Sequence, residues 1–144
     1  MSHIERKNEI IKSFNNLILM MINHIANRYE KSYFAMYHNT IKMFINDRPS
    51  EPISQFIVHI YSNDDYRRQI KEENDLFFLG QNYNHITSGD KYKISKMFEF
   101  KDLWKEMDNN MKGLVKSVMK LLINQAEMYI DVLSTINKYV SCSK

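Results

Sequence analysis

The stretch DNNMKGLVKSVMKLLINQAEMYIDVLSTINKY, Asp108–Tyr139, decides the fold. Its apolar residues fall at Met111, Val115, Val118, Leu122, Tyr129, Val132, Ile136 and Tyr139, with Gln125 in the one polar slot. Steps alternating four and three, sustained over about four heptads, are the period of a helix with a single apolar seam. Asp108 stands before the run with a short side chain that can accept from a free N–H of the first turn, as an N-cap does. At ~1.5 Å rise per residue the segment spans on the order of 45 Å. A helix of that length needs neighbours along it, so the rest of the chain is expected to supply them.

The first third has the same character. From Ser2 to Arg48 there is neither Gly nor Pro, and Ile11, Phe14, Ile18, Ile22, Ile25, Tyr29, Tyr33, Met36, Thr40 and Phe44 recur in steps of three and four. That period is helical and not the alternation of a half-buried strand. Leu17–Ile22 is apolar on every side, which places it at the centre of a bundle. The pattern fits one helix or two, with Tyr37-His38-Asn39-Thr40 as the weakest point for helix propensity. Asn46–Pro52 is the clearest break, because its two prolines, Pro49 and Pro52, turn their predecessors away from the helical region. Ser50 is then expected as N-cap of a short helix that buries Ile53, Phe56, Ile57 and Ile60 and ends near Tyr61. Ser62-Asn63-Asp64 offers caps for a helix from about Asp65 to Glu73. A further turn, Asp75–Leu79, offers Leu76, Phe77, Phe78 and Leu79 to the core and is closed by Gly80. Gln81–Asp90 reads as a surface loop, and Lys91–Met107 as a helix with Ile94, Met97, Phe98, Leu103 and Trp104 inward.

The expectation is an all-α fold: one domain over residues 1–144, a compact bundle of five to six helices with a long C-terminal helix, and a disordered tail at 141–144. Its 44% hydrophobic content suffices for a core, and 3 Gly with 2 Pro leave little of the punctuation that sheets require. The longest purely apolar run, Leu17–Ile22, is far shorter than the ~18 residues of a membrane span. The N-terminus, Met-Ser-His-Ile-Glu-Arg-Lys, is too polar for a signal peptide. The single cysteine, Cys142, permits no internal disulfide and suits a reducing compartment. The protein is therefore expected to be soluble and intracellular rather than secreted. Ile, Asn and Lys number 17, 15 and 15 against three Ala, the bias that AT-rich codons produce.

Catalytic chemistry has no visible signature. His3, His24, His38, His59 and His85 show no His-Glu-x-x-His spacing, and no Glu-x-x-His pair is present. His24 and His59, set among Ile and Met, read as partly buried, hydrogen-bonded core histidines. The acids Asp64, Asp65, Glu72, Glu73 and Asp75 are interleaved with Arg67, Arg68 and Lys71, which reads as a self-neutralising face. Gly80, Gly89 and Gly113 are too far apart for a phosphate loop. No catalytic residue, metal site, cofactor or small-molecule substrate is expected. The basic signal is stronger: eight lysines between Lys91 and Lys120 face four acids, a local balance of +4 within a chain of net charge +3. Lys112, Lys116 and Lys120 form an i, i+4, i+8 row, and with Lys105 they could track phosphates while Trp104 or Tyr92 stacks on bases. Tyr33, Tyr37, Tyr61, Tyr66, Tyr83 and Tyr92 could bring hydroxyls to a protein interface.

Glu51-Pro52-Ile53-Ser54-Gln55-Phe56-Ile57, Ile60-Tyr61-Ser62-Asn63-Asp64-Asp65-Tyr66-Arg67, Asn74-Asp75-Leu76-Phe77-Phe78 and Met97-Phe98-Glu99-Phe100-Lys101-Asp102-Leu103-Trp104 together resemble small helical proteins of unknown function from nucleocytoplasmic large DNA viruses, the giant viruses. The resemblance covers roughly residues 50–125 and rests on spaced aromatic and acidic positions. It implies a viral protein without an assigned reaction, resident in host cytoplasm or virion. The expected role is structural or interactive, through contacts with itself or another viral protein. The alternative is sequence-independent nucleic-acid binding through Lys105, Lys112, Lys116 and Lys120. Within the long last helix, only its final turns near Ile136–Val140 and the lysine row are expected as contact surfaces.

Overall fold

The computed structural model describes residues 2–79 and 100–142, with side chains through Lys138. The described residues are helical and contain no strand. Two long helices, α1 (His3–Arg28) and α8 (Asn109–Cys142), form the frame. They pack antiparallel: Tyr29, just past the end of α1, meets Asp108 before α8, while Arg6–Ser13 lie beside Gln125 and Met128. Between them in sequence come α2 (Tyr33–Met36), α3 (His38–Asp47), α4 (Glu51–Phe56), α5 (Asp64–Lys71), α6 (Asp75–Leu79) and α7 (Lys101–Trp104).

The start of α1 follows from Ser2, whose Oγ accepts from Glu5 N at 3.1 Å. Its inward stripe is the expected one: Ile11, Phe14, Ile18, Ile22 and Ile25 are all buried, joined by Ile10 and Met21. Leu17–Ile22 is not enclosed on every side, however, because Met20 is 39% exposed.

The main break in the first third lies earlier than Tyr37. Helix α1 ends at Arg28 with Tyr29 as its C-cap, and Ser32 does the work of a helix breaker without being Gly or Pro. Its Oγ donates to Tyr29 O at 2.6 Å and accepts from Ala35 N at 3.2 Å, so one hydroxyl satisfies the outgoing and the incoming helix. Tyr37 forms a second, milder joint, with φ −108° and ψ 17°, between α2 and α3. The consequence is a slip of one position in the buried phase. Phe34 and Ile41 are buried where the uninterrupted period placed Tyr33 and Thr40 inward; Met36, also expected inward, is 71% exposed.

Pro52 sits in the first turn of α4, as expected, but Ser50 does not cap it. Its backbone is already helical and its side chain makes no capping bond. The helix widens into a π turn at Ile57–Tyr61, where Ser62 N bonds Ile57 O at 2.9 Å. Ile53, Phe56 and Ile60 are buried and Ile57 is half-buried. Asn63 caps α5 through a 3.1 Å bond from Tyr66 N. That helix closes with two bonds, Asn74 N to Gln69 O and Glu73 N to Ile70 O, around Glu73 at φ 56°. This is a Schellman closure with a side chain where glycine is usual. Helix α6 sends Phe77 and Phe78 into the core, but Leu76 and Leu79 stay exposed at 61% and 39%. One helical turn cannot face one side with four consecutive residues.

The expected helix from Lys91 to Met107 does not run through its described part. Phe100 leaves the helical region at φ −114°, ψ 0°, and α7 holds only Lys101–Trp104. The bend lets Phe100 and Trp104, both almost fully buried, join one aromatic chain. Phe34 stacks on Phe100 at 5.6 Å, Phe100 meets Phe78 at 5.9 Å, and Phe78 stacks on Trp104 at 4.2 Å. Gly80, the loop expected at Gln81–Asp90, Lys91–Glu99 and the histidine and tyrosines among them lie outside the described residues.

Asp108 caps α8 as expected, accepting from Met111 N at 2.8 Å. Its other carboxylate oxygen pairs with Arg28, and its backbone N donates to the Tyr29 hydroxyl at 3.0 Å. The seam residues Met111, Val115, Val118, Leu122, Tyr129 and Val132 are buried, and so are Met119, Ile123 and Ala126. The stripe is thus wider than a two-strand coiled-coil seam and fits the inside of a globular bundle. The helix continues to Cys142, past the expected end at Tyr139.

Two substitutions test this backbone. A Cβ built on exposed Gly113 meets nothing within 4 Å, so Gly113→Ala should stabilise α8 by about 1 kcal/mol. Glu73→Gly should relieve the left-handed strain for a gain of about 0.5–1 kcal/mol. Thermal unfolding followed by circular dichroism should rise by roughly 2–4 °C for each. A fall for Glu73→Gly would contradict the left-handed closure of α5.

Candidate functional site

Trp104 is where the sequence-predicted lysines meet the core. Its indole is stacked 4° from parallel on Phe78 and only 1% exposed. Two of the four candidate lysines complete its cover. Lys112 Nζ lies 5.5 Å and Lys116 Nζ 5.9 Å from the ring centroid. One helical turn apart on α8, both side chains lean toward the helix N-terminus, where α7 lies. Lys116 also bonds Asp75 Oδ1 at 2.5 Å, tying α8 to the first residue of α6. The indole Nε1 is buried without a hydrogen-bond partner among the described residues, a cost of about 1–3 kcal/mol that this stacking and packing must offset.

The row is therefore divided by function. Lys112 and Lys116 hold a core tryptophan, while Lys105 and Lys120 are exposed. Trp104 is enclosed and has no free face on which a base could stack; Tyr92 lies outside the described residues. The acidic segment neutralises itself only in part: Arg67 pairs with Asp64 at 2.6 Å and Arg68 with Asp65 at 3.1 Å, whereas Lys71 reaches Glu127 of α8 at 2.8 Å and Asp75 is met by Lys116 of α8. Among the described residues no group of three or more His, Cys, Asp or Glu could hold a metal ion, and no helix is long and apolar enough to cross a membrane. His59 is partly buried, with Nε2 2.9 Å from Gln55 Oε1, whereas His24 is exposed on α1 and not part of the core.

A surface that the sequence reading missed runs along the opposite flank of α8. Leu121 and Met128, two helical turns apart, are exposed at 46% and 37%. Between them stands half-buried Gln125, which lines a cleft with Met128 and with Arg6, Glu9 and Ser13 of α1. Two turns beyond Ser13 on the same face of α1 is Met20, exposed at 39%. Exposed apolar side chains thus stand on both of the two longest helices, and one of them, Met128, lies beside a cation and an anion of α1. The signal of this surface was present in the sequence as Leu121 and Met128 at i, i+7, but an apolar stripe this wide hides which flank stays open. Ile136, expected at a contact surface, is half-buried against the core.

Compared with known proteins, the chain matches no family model, no curated protein and no solved structure.

The single tryptophan makes its cover measurable. Lys116→Ala should cost about 1 kcal/mol, removing a ring contact and an ion pair together, and should shift Trp104 emission to the red. Lys120→Ala should leave both stability and emission unchanged. Equal behaviour of the two variants would show that Lys116 does not cover the indole.

Proposed function

We propose that this is a non-enzymatic interaction protein that works through protein–protein contacts, the first being with a second copy of itself along the α1–α8 edge. The observation that carries the reading is the exposure of Met20, Leu121 and Met128 on the two longest helices, with Met128 lining a cleft beside Arg6 and Glu9. A patch that holds an apolar ridge with one cation and one anion is self-complementary under a two-fold axis, because Arg6 of each copy can face Glu9 of the other. Methionine suits such a contact, since its unbranched side chain adapts to the opposing surface. Of the lysines in the alternative nucleic-acid reading, two are committed to Trp104, so that reading has the weaker support.

Light scattering across a concentration series tests the proposal. The wild-type chain should approach the dimer mass as concentration rises. Leu121→Lys combined with Met128→Lys should return it to monomer with its helical circular dichroism intact. A wild-type chain that stays monomeric throughout would remove self-association. The resemblance to giant-virus proteins and the AT-rich composition support a virion-associated viral role. Mass spectrometry of purified particles should then find the chain at many copies, and its absence from them would point to the infected cell instead.

A further inference from the structure

The other flank of α1 carries a groove of about 590 Å³ between that helix and the α3–α4 turn. Its chemistry differs from the apolar edge. Lys7, Asn8, Lys12 and Asn16 line it from α1, Asn46 from the end of α3 and Ser50 from the turn. No carboxylate is among its lining residues. Lys7 and Lys12 form no ion pair among the described residues, and the Ser50 hydroxyl caps no helix. Ile11, Leu19 and Ile45 supply apolar wall.

Asn15, another lining residue, adds an independent observation. It is 6% exposed, and its Nδ2 donates to Pro49 O at 2.8 Å. A carbonyl only accepts, so the amide orientation is fixed; the flipped form would set two oxygens against each other. Oδ1 is consequently left buried with no donor among the described residues. A buried acceptor without a partner costs about 1–3 kcal/mol. The hydroxyl or amino group of a ligand would satisfy it.

We propose that this groove binds a phosphorylated, hydroxyl-bearing small molecule of sugar-phosphate type. Lys7 and Lys12 meet the phosphate as point charges. The apolar wall takes the carbon skeleton, and Asn15 Oδ1 accepts from a hydroxyl. Oδ1 is sealed from solvent in the free chain, so a small shift of the Asn15 amide, with lengthening of its bond to Pro49 O, opens it to the hydroxyl. The volume lies within the usual range for small-molecule sites, roughly 300–1,000 Å³. Sequence reading alone offered no such ligand. Its parts come from positions 7–19 and 45–50, which only the folded chain brings together.

The test is a titration of the full chain, followed by ¹H–¹⁵N resonances that include the Asn15 side-chain amide. Three probes are used: ribose 5-phosphate, inorganic phosphate and ribose. Ribose 5-phosphate should give saturable shifts confined to residues 7–19 and 45–50. Its binding should be about tenfold tighter than that of inorganic phosphate, the worth of one hydrogen bond to an otherwise orphaned acceptor. Asn15→Leu should abolish that tenfold preference. Lys7→Gln with Lys12→Gln, both on the surface and outside the core, should weaken ribose 5-phosphate at least tenfold without changing thermal stability, and this pair carries the test if Asn15→Leu fails to fold. The proposal is overturned if no probe saturates, if phosphate and ribose 5-phosphate bind alike, if ribose alone binds as well, or if shifts spread to Lys105 and Lys120. The groove lies on the flank of α1 away from Met20, so these results do not depend on the dimer.

Discussion

The antiparallel pairing of α1 and α8 is the constraint on which the other elements depend. Two helices of 26 and 34 residues turn their apolar stripes toward each other, and the shorter helices close around them. Asp108 fixes their register. One carboxylate oxygen caps α8, the other pairs with Arg28 at the end of α1, and the backbone N–H takes the Tyr29 hydroxyl. The negative charge serves both dipoles' needs, lying at the positive end of α8 and balancing the cation at the negative end of α1. A cap that would ordinarily finish one helix here joins two.

Once the pair is set, the aromatic chain decides how the middle of the protein folds over it. Phe34, Phe100, Phe78 and Trp104 come from three separate helical segments or their borders, α2, α6 and α7, and each is nearly excluded from water. Forming that chain requires α2 to break from α1 at Ser32 and Phe100 to stand outside a helix. Local propensity would have continued both helices, and burial of large aromatic surfaces outweighs it. Lys112 and Lys116 then complete the tryptophan's surroundings. Residues that looked like a phosphate-tracking row therefore contribute first to stability.

The two surfaces left on α1 differ because they border different neighbours. Toward α8 the rim is Met20, Leu121 and Met128, which favours protein contact. Toward the α3–α4 turn the rim is Asn and Lys around an orphaned amide oxygen, which favours a small polar anion. The same helix thus separates a surface suited to association from one suited to a ligand, with its buried stripe between them.

The sequence by itself determined the helical class, the start and cap of α8, the inward stripe of α1, the proline break and the local pairing of Asp64 with Arg67 and Asp65 with Arg68. These follow from local periodicity, capping chemistry and charge spacing, which neighbours in sequence are enough to express. Tertiary structure alone decided the Ser32 break, the phase slip that buries Phe34 and Ile41, and the division of labour within the lysine row. It also decided which flank of α8 stays open and where Asn15 finds its partner. Each depends on residues dozens of positions apart, such as Tyr29 with Asp108 or Asn15 with Pro49, and helical periodicity does not reach that far. A hydrophobic stripe says that a face is covered; the neighbour that covers it fixes where the covering stops.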